Sequence, residues 1–441
     1  MRRFARAALC AAAFIALTRP GDAAVTSAPS ITGLDLIELQ IAYTTLLARY
    51  YRPIAPRRLV DGARTGIAAE LYARGLPDAP LPYTPVRVGA GLGGDLVDGL
   101  VFGSLARYGK RLDGHRLVEA AVRGELAALQ DSYSVLFRPR EFVKFDAYLG
   151  KAKFGGIGAL LAYDATLRRA LVRRVLPGGA AQRGGLQEGD AIVAVDGTPA
   201  RTLGADGIVR ALRGPVGTVV RVEVLRGETT QAYAFVRAVV RDPQVQVRRF
   251  DTIGYLRLLR FGDHAGAEVG EALAGLRSQG VRGVVLDLRG NGGGYGDEAT
   301  AVASAFIAKG PIFTTLERNA APVTARANGA AAFGLPLAVL VDHDTASAAE
   351  IVAGALQDTR GGTLVGAQTF GKGLVQSIFP LPDGSALKLT TARYTTAKGR
   401  DIDRVGIAPD VPVAETEGSE FGDPERDPQL AAALALLRVA P

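Results

Sequence analysis

Apolar positions along the 441-residue chain follow three different periods. Between 35 and 150 they recur at the three-and-four spacing of amphipathic helices, with one loop-rich interruption near 76–99. Between 154 and 240 the runs shorten. "AIVAVDG" and "VVRVEVLRG" are β-branched and end on glycine turns, which predicts a small β-rich domain. Between 241 and 415 buried strands alternate with helices. "GVVLDLRG" (283–290) and "PLAVLVD" (336–342) read as strands, followed by helical stretches near 297–308 and 346–357. That order predicts stacked βαβ units. "LVQSIFPLPDGSALKLTTARYTT" alternates as hairpins do, and residues 416–441 form an acidic tail ending in a short apolar helix, "PQLAAALALLR". The expected class is multidomain α/β: a helical N-terminal region over 25–150, the β-rich domain over 154–240, and an α/β core over 241–415.

The helical region contains a repeat. "LARYYRPIAPRRLVDGARTG" (47–66) aligns with "LARYGKRLDGHRLVEAAVRG" (105–124), so that Leu47 to Tyr50 match Leu105 to Tyr108 and Gly66 matches Gly124. Two copies are too few for a solenoid and read as two helical hairpins of one kind. They suit packing, a lid or self-association better than catalysis. Between them "GAGLGG" fits G-x-G-x-x-G at Gly89, Gly91 and Gly94. The preceding "VRV" is a poor strand, so the stretch reads as a plain glycine loop rather than a dinucleotide site.

The formal charge is +8, but no dense Lys/Arg block with interleaved aromatics occurs, so no nucleic-acid partner is expected. "MRRFARAALCAAAFIALTRPGDAA" (1–24) has the charged start, short apolar stretch and small residues of a secretory signal. A periplasmic or otherwise exported protein is expected, with membrane association through an uncleaved signal as the alternative. The single cysteine, Cys10, lies inside this signal. Removing the signal removes disulfides, thiolate metal sites and cysteine catalysis from consideration. No H-E-x-x-H or similar metal pattern occurs, and no metal or cofactor is expected.

"VDHDTASAAEIVAGALQD" (341–358) carries Asp342, His343, Asp344 and Ser347, the ingredients of a hydrolase triad. Ser347 stands where a strand turns into a helix, beside unpaired N–H groups that can stabilise an oxyanion. Ser347 and Glu350 also form S-x-x-E, a capping box that explains both residues without catalysis. Asp342 and His343 point to opposite faces of the strand, and the two acids read as solvated loop residues. His115 and His264 sit in helical or loop contexts that suggest no catalytic pairing from sequence. The other candidate base is Lys372 in "TFGKGLVQ", with Gln376 placed to orient it. An ammonium cannot accept a proton, so this role requires burial to lower its pKa. A solvated Gly-Lys-Gly turn is the plainer alternative.

Several ordered segments resemble known families. "PGGAAQRGGLQEGDAIVAVDG" (177–197) resembles a PDZ domain, through Ala180, Leu186, Gly189, Asp190, Ile192, Val195 and Gly197. That resemblance implies a carboxylate-binding loop at Gly155, Gly156, Ile157 and Gly158. Lys372 follows Ser347 by 25 residues, with Glu350 three after the serine and Gln376 four after the lysine. "VVLDLRGNGGG", with Asp287, Leu288, Arg289, Asn291, Gly293 and Gly294, resembles an LDLRNNPGG segment. With "DSYSVLFRPREFVKF" (131–145) and "AKGRDIDRVGIAPDVPV" (397–413), this set resembles the carboxyl-terminal processing proteases, tail-specific serine proteases with a Ser–Lys dyad. The resemblance implies a crotonase/Clp-protease-like core, Ser347 as nucleophile and Lys372 as base. It also implies Gln376 as orienting group, an oxyanion hole from the N–H groups of Gly293 and Ala348, and Glu350 in support. Expected partners are protein or peptide substrates with exposed C-termini, an adaptor protein, and further copies of the chain. Three departures stand out, the first being that the helical repeat and the loop at 76–105 look like an insertion in the N-terminal region. Gly292 replaces a proline, which is expected to free the loop, and Ala349 replaces a serine. A weak or inactive protease-fold scaffold remains the alternative. An acyl-CoA enzyme on the same fold is disfavoured by the PDZ signature and the export segment.

Overall fold

The computed structural model describes residues 31–76, 90–150, 154–176, 178–240, 243–328, 333–415 and 421–439. The expected signal at 1–24, and Gly89 with the stretch before it from 77, lie outside the described residues.

The helical region is built from two hairpins. Gly33–Arg49 starts on a capping box, in which the Thr32 hydroxyl accepts the Asp35 N–H at 3.2 Å and the Asp35 carboxylate accepts the Thr32 N–H at 2.7 Å. Pro56–Ala73 opens with proline, which has no N–H to leave unpaired. The second hairpin is Ala90–Tyr108 followed by Gly114–Ala128, the latter capped by Asp113. Helix therefore begins at Ala90, inside the stretch read from sequence as a loop, and Gly91 and Gly94 lie within it. Val97, Leu100, Val101 and Leu105 bury one face of that helix, and this packing outweighs the poor propensity of its glycines. The repeated glycines meet at the crossing of Pro56–Ala73 with Gly114–Ala128. A Cβ on Gly124 would lie 2.1 Å from the Gly62 carbonyl oxygen, and one on Gly66 would lie 2.0 Å from that of Ala120. The two helices thus touch backbone to backbone.

The β-rich domain is an antiparallel sheet in the order Ala159–Asp164, Arg169–Val175, Ala191–Val195, Val219–Arg226, Thr229–Val236. Its own core gathers Val172, Leu186, Ile192, Ile208, Val222 and Phe235. Asp190 is buried and takes two bonds from the Arg226 guanidinium, each 2.7 Å, which holds its carboxyl below the usual range.

The α/β core rests on a six-stranded sheet. Val245–Phe250 pairs antiparallel with Ile253–Leu258, and Gly283–Asp287, Leu337–Val341, Thr363–Gly366 and Val411–Pro412 continue it in parallel. Both faces are covered, which is why these strands read as unbroken apolar runs. One face packs against the helices Ala265–Ser278, Gly296–Ser304 and Ala348–Thr359. The other face packs Val285, Ala338, Leu340 and Val365 against Leu430, Ala433 and Leu434 of Pro428–Arg438. The tail helix is thus part of the core, held there by Arg289. The buried Arg289 guanidinium donates to Asp287 (2.7 Å) and to Asp427 (2.6 and 2.7 Å), and Asp427 in turn caps that helix.

A second, antiparallel sheet has Ala386–Thr396 at its centre. It joins Leu374–Pro380, Pro311–Glu317 and, from the segment read as helical, Val135–Phe137. Residues 135–137 therefore belong with this sheet, and Leu136, Leu387 and Leu389 share one core with the hairpin helices.

Gly124→Ala is expected to destabilise the protein by about 1–3 kcal/mol, because the helices must separate to admit a methyl group. Gly99→Ala, on an exposed helical position with no atom within 4 Å of the new Cβ, is expected to stabilise it by about 0.5–1 kcal/mol. Thermal denaturation of both variants checks this pair of opposite signs.

Candidate active site

The buried strand Leu337–Val341 leads into a tight turn and then the helix Ala348–Thr359. Asp342 is buried in that turn, contrary to its expected solvation. Its carboxylate accepts the Gly290 N–H at 2.9 Å, the Thr345 hydroxyl at 2.9 Å and the Asp344 N–H at 3.1 Å. His343 and Asp344 are exposed and line no part of the cleft described below. The turn ends on Ser347 with φ 58° and ψ −117°, a conformation rarely adopted by a residue with a Cβ. Such a conformation costs about 1–3 kcal/mol and persists where neighbours over-determine it. Here the Ser347 N–H donates to Glu350 Oε2 at 2.9 Å, and its carbonyl accepts the Tyr394 hydroxyl at 3.2 Å. The Ser347 hydroxyl makes no capping bond. The S-x-x-E pair therefore works in one direction: the glutamate serves the backbone, and the hydroxyl is left to the cleft.

Glu350 is fully buried and collects four donors. Oε2 accepts the N–H groups of Ser347 (2.9 Å) and Lys372 (2.8 Å), and Oε1 accepts the Gly371 N–H (2.7 Å) and the Thr369 hydroxyl (2.6 Å). One carboxylate thus fixes both the serine and the lysine backbone. Gly371 has φ 85° and Gly373 is packed hard, since a Cβ on either would lie 2.8 Å from the backbone of 403–406. The Lys372 Nζ sits 5.0 Å from the centroid of the Tyr133 ring. Burial, and secondarily the Lys388 charge, lower its pKa from 10.5 to about 8, against an opposing pull from Glu350 and Asp131.

The glycine loop that follows Gly283–Asp287 is held by hydrogen bonds on both sides of Gly292. The Asn291 side chain donates to the Leu258 carbonyl at 2.7 Å, its own carbonyl accepts the Ala346 N–H at 3.0 Å, and Phe261 binds Gly293 and Tyr295 on either side of Gly294. Only Gly fits at 293 and 294. A Cβ at 293 would lie 2.8 Å from Ser347 Cβ and 2.9 Å from Ala348 N, and one at 294 would lie 2.1 Å from the Phe261 carbonyl oxygen. The Gly293 N–H, however, donates to Asn291 Oδ1 at 2.9 Å. In this arrangement it is engaged by the Asn291 side chain rather than presented to the cleft. The Ala348 N–H stands at the helix start, next to the space Gly293 leaves open.

A cleft of about 750 Å³ brings the expected residues together: Ser347, Ala348, Gly293, Lys372 and Gln376 all line it. Gln376 does not orient Lys372 directly. The one hydrogen bond of its amide among the described residues runs to the Thr390 hydroxyl at 3.5 Å, beside a register shift between Val375 and Gln376. Three lining or supporting residues had no signal in the sequence: Tyr394, Tyr133 and Lys388. All are brought in by strand pairing or by the turn at 131–134, so no local spacing could have revealed them.

In the β-rich domain, Gly158 has φ 78°, and the carbonyls of Ile157 and Gly158 are taken by the N–H groups of Ala181 (2.6 Å) and Leu176 (2.9 Å). Ile157 itself is buried in the domain core. The strand Ala159–Asp164 that follows is an edge strand with one side unpaired in the sheet, as strand addition by a peptide requires.

His115 has a partner, with Nδ1 at 3.0 Å from Asp35 Oδ1. Among the described residues, Asp35, Glu38 and His115 are the one group whose ligand atoms lie within 4.8 Å of each other. Asp35 also binds Thr32, and Glu38 accepts the Asp383 N–H at 2.7 Å, so these acids are already engaged. Burial and the neighbouring Asp383 raise Glu38 to about 7.

Residues 252–413 match the model of peptidase family S41, and residues 149–225 match that of the PDZ domain. Fold and matches together define a serine-type peptidase with a peptide-binding PDZ domain. The carboxyl-terminal-processing protease of Synechocystis sp. is 36% identical over 326 residues, covering 72% of this chain and 76% of that protein. Its counterpart in Picosynechococcus sp. is 35% identical over 324 residues, covering 72% and 78%. Among solved structures, the photosystem II D1 C-terminal processing protease aligns with 87% of this chain and 94% of that chain, at 26% identity and a TM-score of 0.47. The chain belongs to the carboxyl-terminal-processing proteases of peptidase family S41.

Glu350→Gln keeps the shape but turns one acceptor oxygen into an NH2 group facing N–H donors. Peptide hydrolysis is expected to fall about a hundredfold or more, with a lowered melting temperature, since each unpaired buried donor costs about 1–3 kcal/mol. Turnover and thermal melts of the purified variant test this, and undiminished turnover would refute the clamp.

Proposed function

We propose that the protein is an exported endopeptidase that cleaves unfolded proteins, or proteins with exposed C-termini, through a Ser347–Lys372 dyad. The observation that carries this reading is the shared, buried Glu350 oxygen, which ties the amides of two cleft-lining residues, Ser347 and Lys372, to one point. The lowered Lys372 pKa supports it, because the amine must be neutral to act as a base.

Neutral Lys372 takes the proton from Ser347 Oγ as the oxygen attacks the peptide carbonyl. The oxyanion that forms is met by the Ala348 N–H. A second donor at Gly293 requires its N–H to leave Asn291 Oδ1, a small rotation that substrate binding would drive. Lys372 then gives its proton to the departing amine, and the acyl-enzyme is hydrolysed by a water that Lys372 deprotonates. The PDZ loop at 155–158 presents substrate C-termini, and Gln376 steadies the cleft wall beside Lys372. Export through residues 1–24, an adaptor protein and self-association through the helical hairpins complete the proposal.

The engaged Gly293 N–H favours one competing reading, a peptide-binding scaffold with a closed oxyanion site. A serine-reactive fluorophosphonate probe separates the two: labelling at Ser347 that Lys372→Ala abolishes belongs to the enzyme.

Wild type is expected to fragment an unfolded tagged protein, as read by mass spectrometry, while Ser347→Ala and Lys372→Ala leave it intact. Full cleavage by either variant would sink the dyad. The sign of the pH effect follows from the base. Below about 8 Lys372 is protonated and inactive, so kcat/KM should rise with pH through a midpoint near 8 and level off above it. A midpoint near 6 would point to another base.

A further inference from the structure

We propose that Lys388 is a specificity-determining residue that receives a carboxylate of the peptide substrate close to the scissile bond. This rests on the endopeptidase reading above. Lys388 lies on the strand Ala386–Thr396 directly opposite Ile378, and both line the same cleft as Ser347 and Lys372. Its side chain is half-buried in an apolar stretch of wall formed with Phe145, Ile378 and Pro380, and its Nζ lies 5.7 Å from the centroid of the Phe145 ring.

No described residue gives the Lys388 ammonium an ion pair or hydrogen bond. Asp131 is the one acid whose charge acts on it. That carboxylate is committed elsewhere, with Oδ1 accepting the Tyr133 N–H at 3.0 Å and Oδ2 accepting the Ser134 hydroxyl at 2.6 Å. A cation drawn out of water without an internal anion is costly, and an incoming carboxylate relieves that cost. Lys372 does not compete for this role. Lys372 is the base in that reading, with its amide held on Glu350, while Lys388 stands opposite Ile378 with no anion of its own. Burial lowers the pKa of both amines, and the Lys388 charge lowers Lys372 further.

The other charged groups lining the cleft are Asp146 and Asp297, which repel an anion wherever they face the peptide. The preference should therefore appear at one substrate position and not along the whole peptide. The carboxylate comes either from an Asp or Glu side chain or from the α-carboxylate of a peptide that ends just past the scissile bond. The shared chemistry is an anion within reach of a lysine amine.

The experiment is a series of C-terminally amidated peptides carrying Glu or Gln at each position flanking the cleaved bond. A parallel pair ends shortly after that bond as free acid or amide. Each enzyme is scored by its own ratio of kcat/KM values, so a change in the Lys372 base cancels. Wild type is expected to favour the carboxylate at one position, or the free acid, by about tenfold, the scale of one charge-assisted contact. Lys388→Met and Lys388→Gln should bring that ratio to about one, and Lys388→Arg should keep part of it. A ratio near one at every position in wild type overturns the inference. So does a preference that survives in both neutral variants, including a free-acid preference carried by the PDZ loop. The same peptides, fluorescently labelled, are titrated into Ser347→Ala with and without Lys388→Met. That binding ratio decides the role of Lys388 even if no peptide is turned over, an outcome that would count against the endopeptidase reading instead.

Discussion

A carboxylate inside a protein replaces its water shell or it is not charged at all. Glu350 replaces it with four neutral donors, and those donors come from the two segments that the chemistry needs side by side. One segment is the start of Ala348–Thr359, where the first N–H groups of a helix have no partners of their own. The other is the glycine-flanked loop before Leu374–Pro380. The bonds place the lysine backbone but leave its amine free to answer to its surroundings. There the same negative charge works against catalysis by pulling the Lys372 pKa upward. Burial and the Lys388 cation overcome that pull. In the proposed dyad one acid assembles the site, and burial with a second cation keeps its lysine within reach of the neutral form.

Everything else around the cleft serves to hold this junction still. The parallel sheet delivers two neighbouring strands, Gly283–Asp287 and Leu337–Val341, whose ends open the glycine loop and the serine turn. Ligand sites lie beyond such carboxyl ends in open α/β sheets. Asp342 joins the loop to the turn through Gly290, and Asn291 joins them again through Ala346. On the far face, Arg289 links the same strand to the cap of Pro428–Arg438. A central strand, a loop and a terminal helix are thus tied together by buried polar contacts.

Much of this was legible in the sequence because it is local. The period change at 154, the strand–helix alternation after 241 and the S-x-x-E pair each declare themselves within a dozen residues. The 25-residue interval from Ser347 to Lys372 needed the family resemblance to be read as one site. Asp342 was misjudged because an acid in a polar turn looks solvated, and only the returning Gly290 N–H makes it a buried anchor. The helix from Ala90 was misread as loop because its glycines speak louder than the apolar face that stabilises it. Lys388 and Tyr394 lay beyond reach for a different reason. They sit on a strand whose facing side is set by pairing with Leu374–Pro380, and a one-residue slip would turn both away. Val135–Phe137 joins that sheet from the far end of the chain, where no nearby residue announces it.

The backbone at Ser347 has a consequence for how such a protein changes over generations. Its φ of 58° with ψ of −117° suits glycine far better than serine. A serine-to-glycine change there would discard the proposed nucleophile and release strain in the same stroke. At this one position stability and the proposed activity therefore pull in opposite directions, and the strained turn is the stability cost of carrying a hydroxyl there.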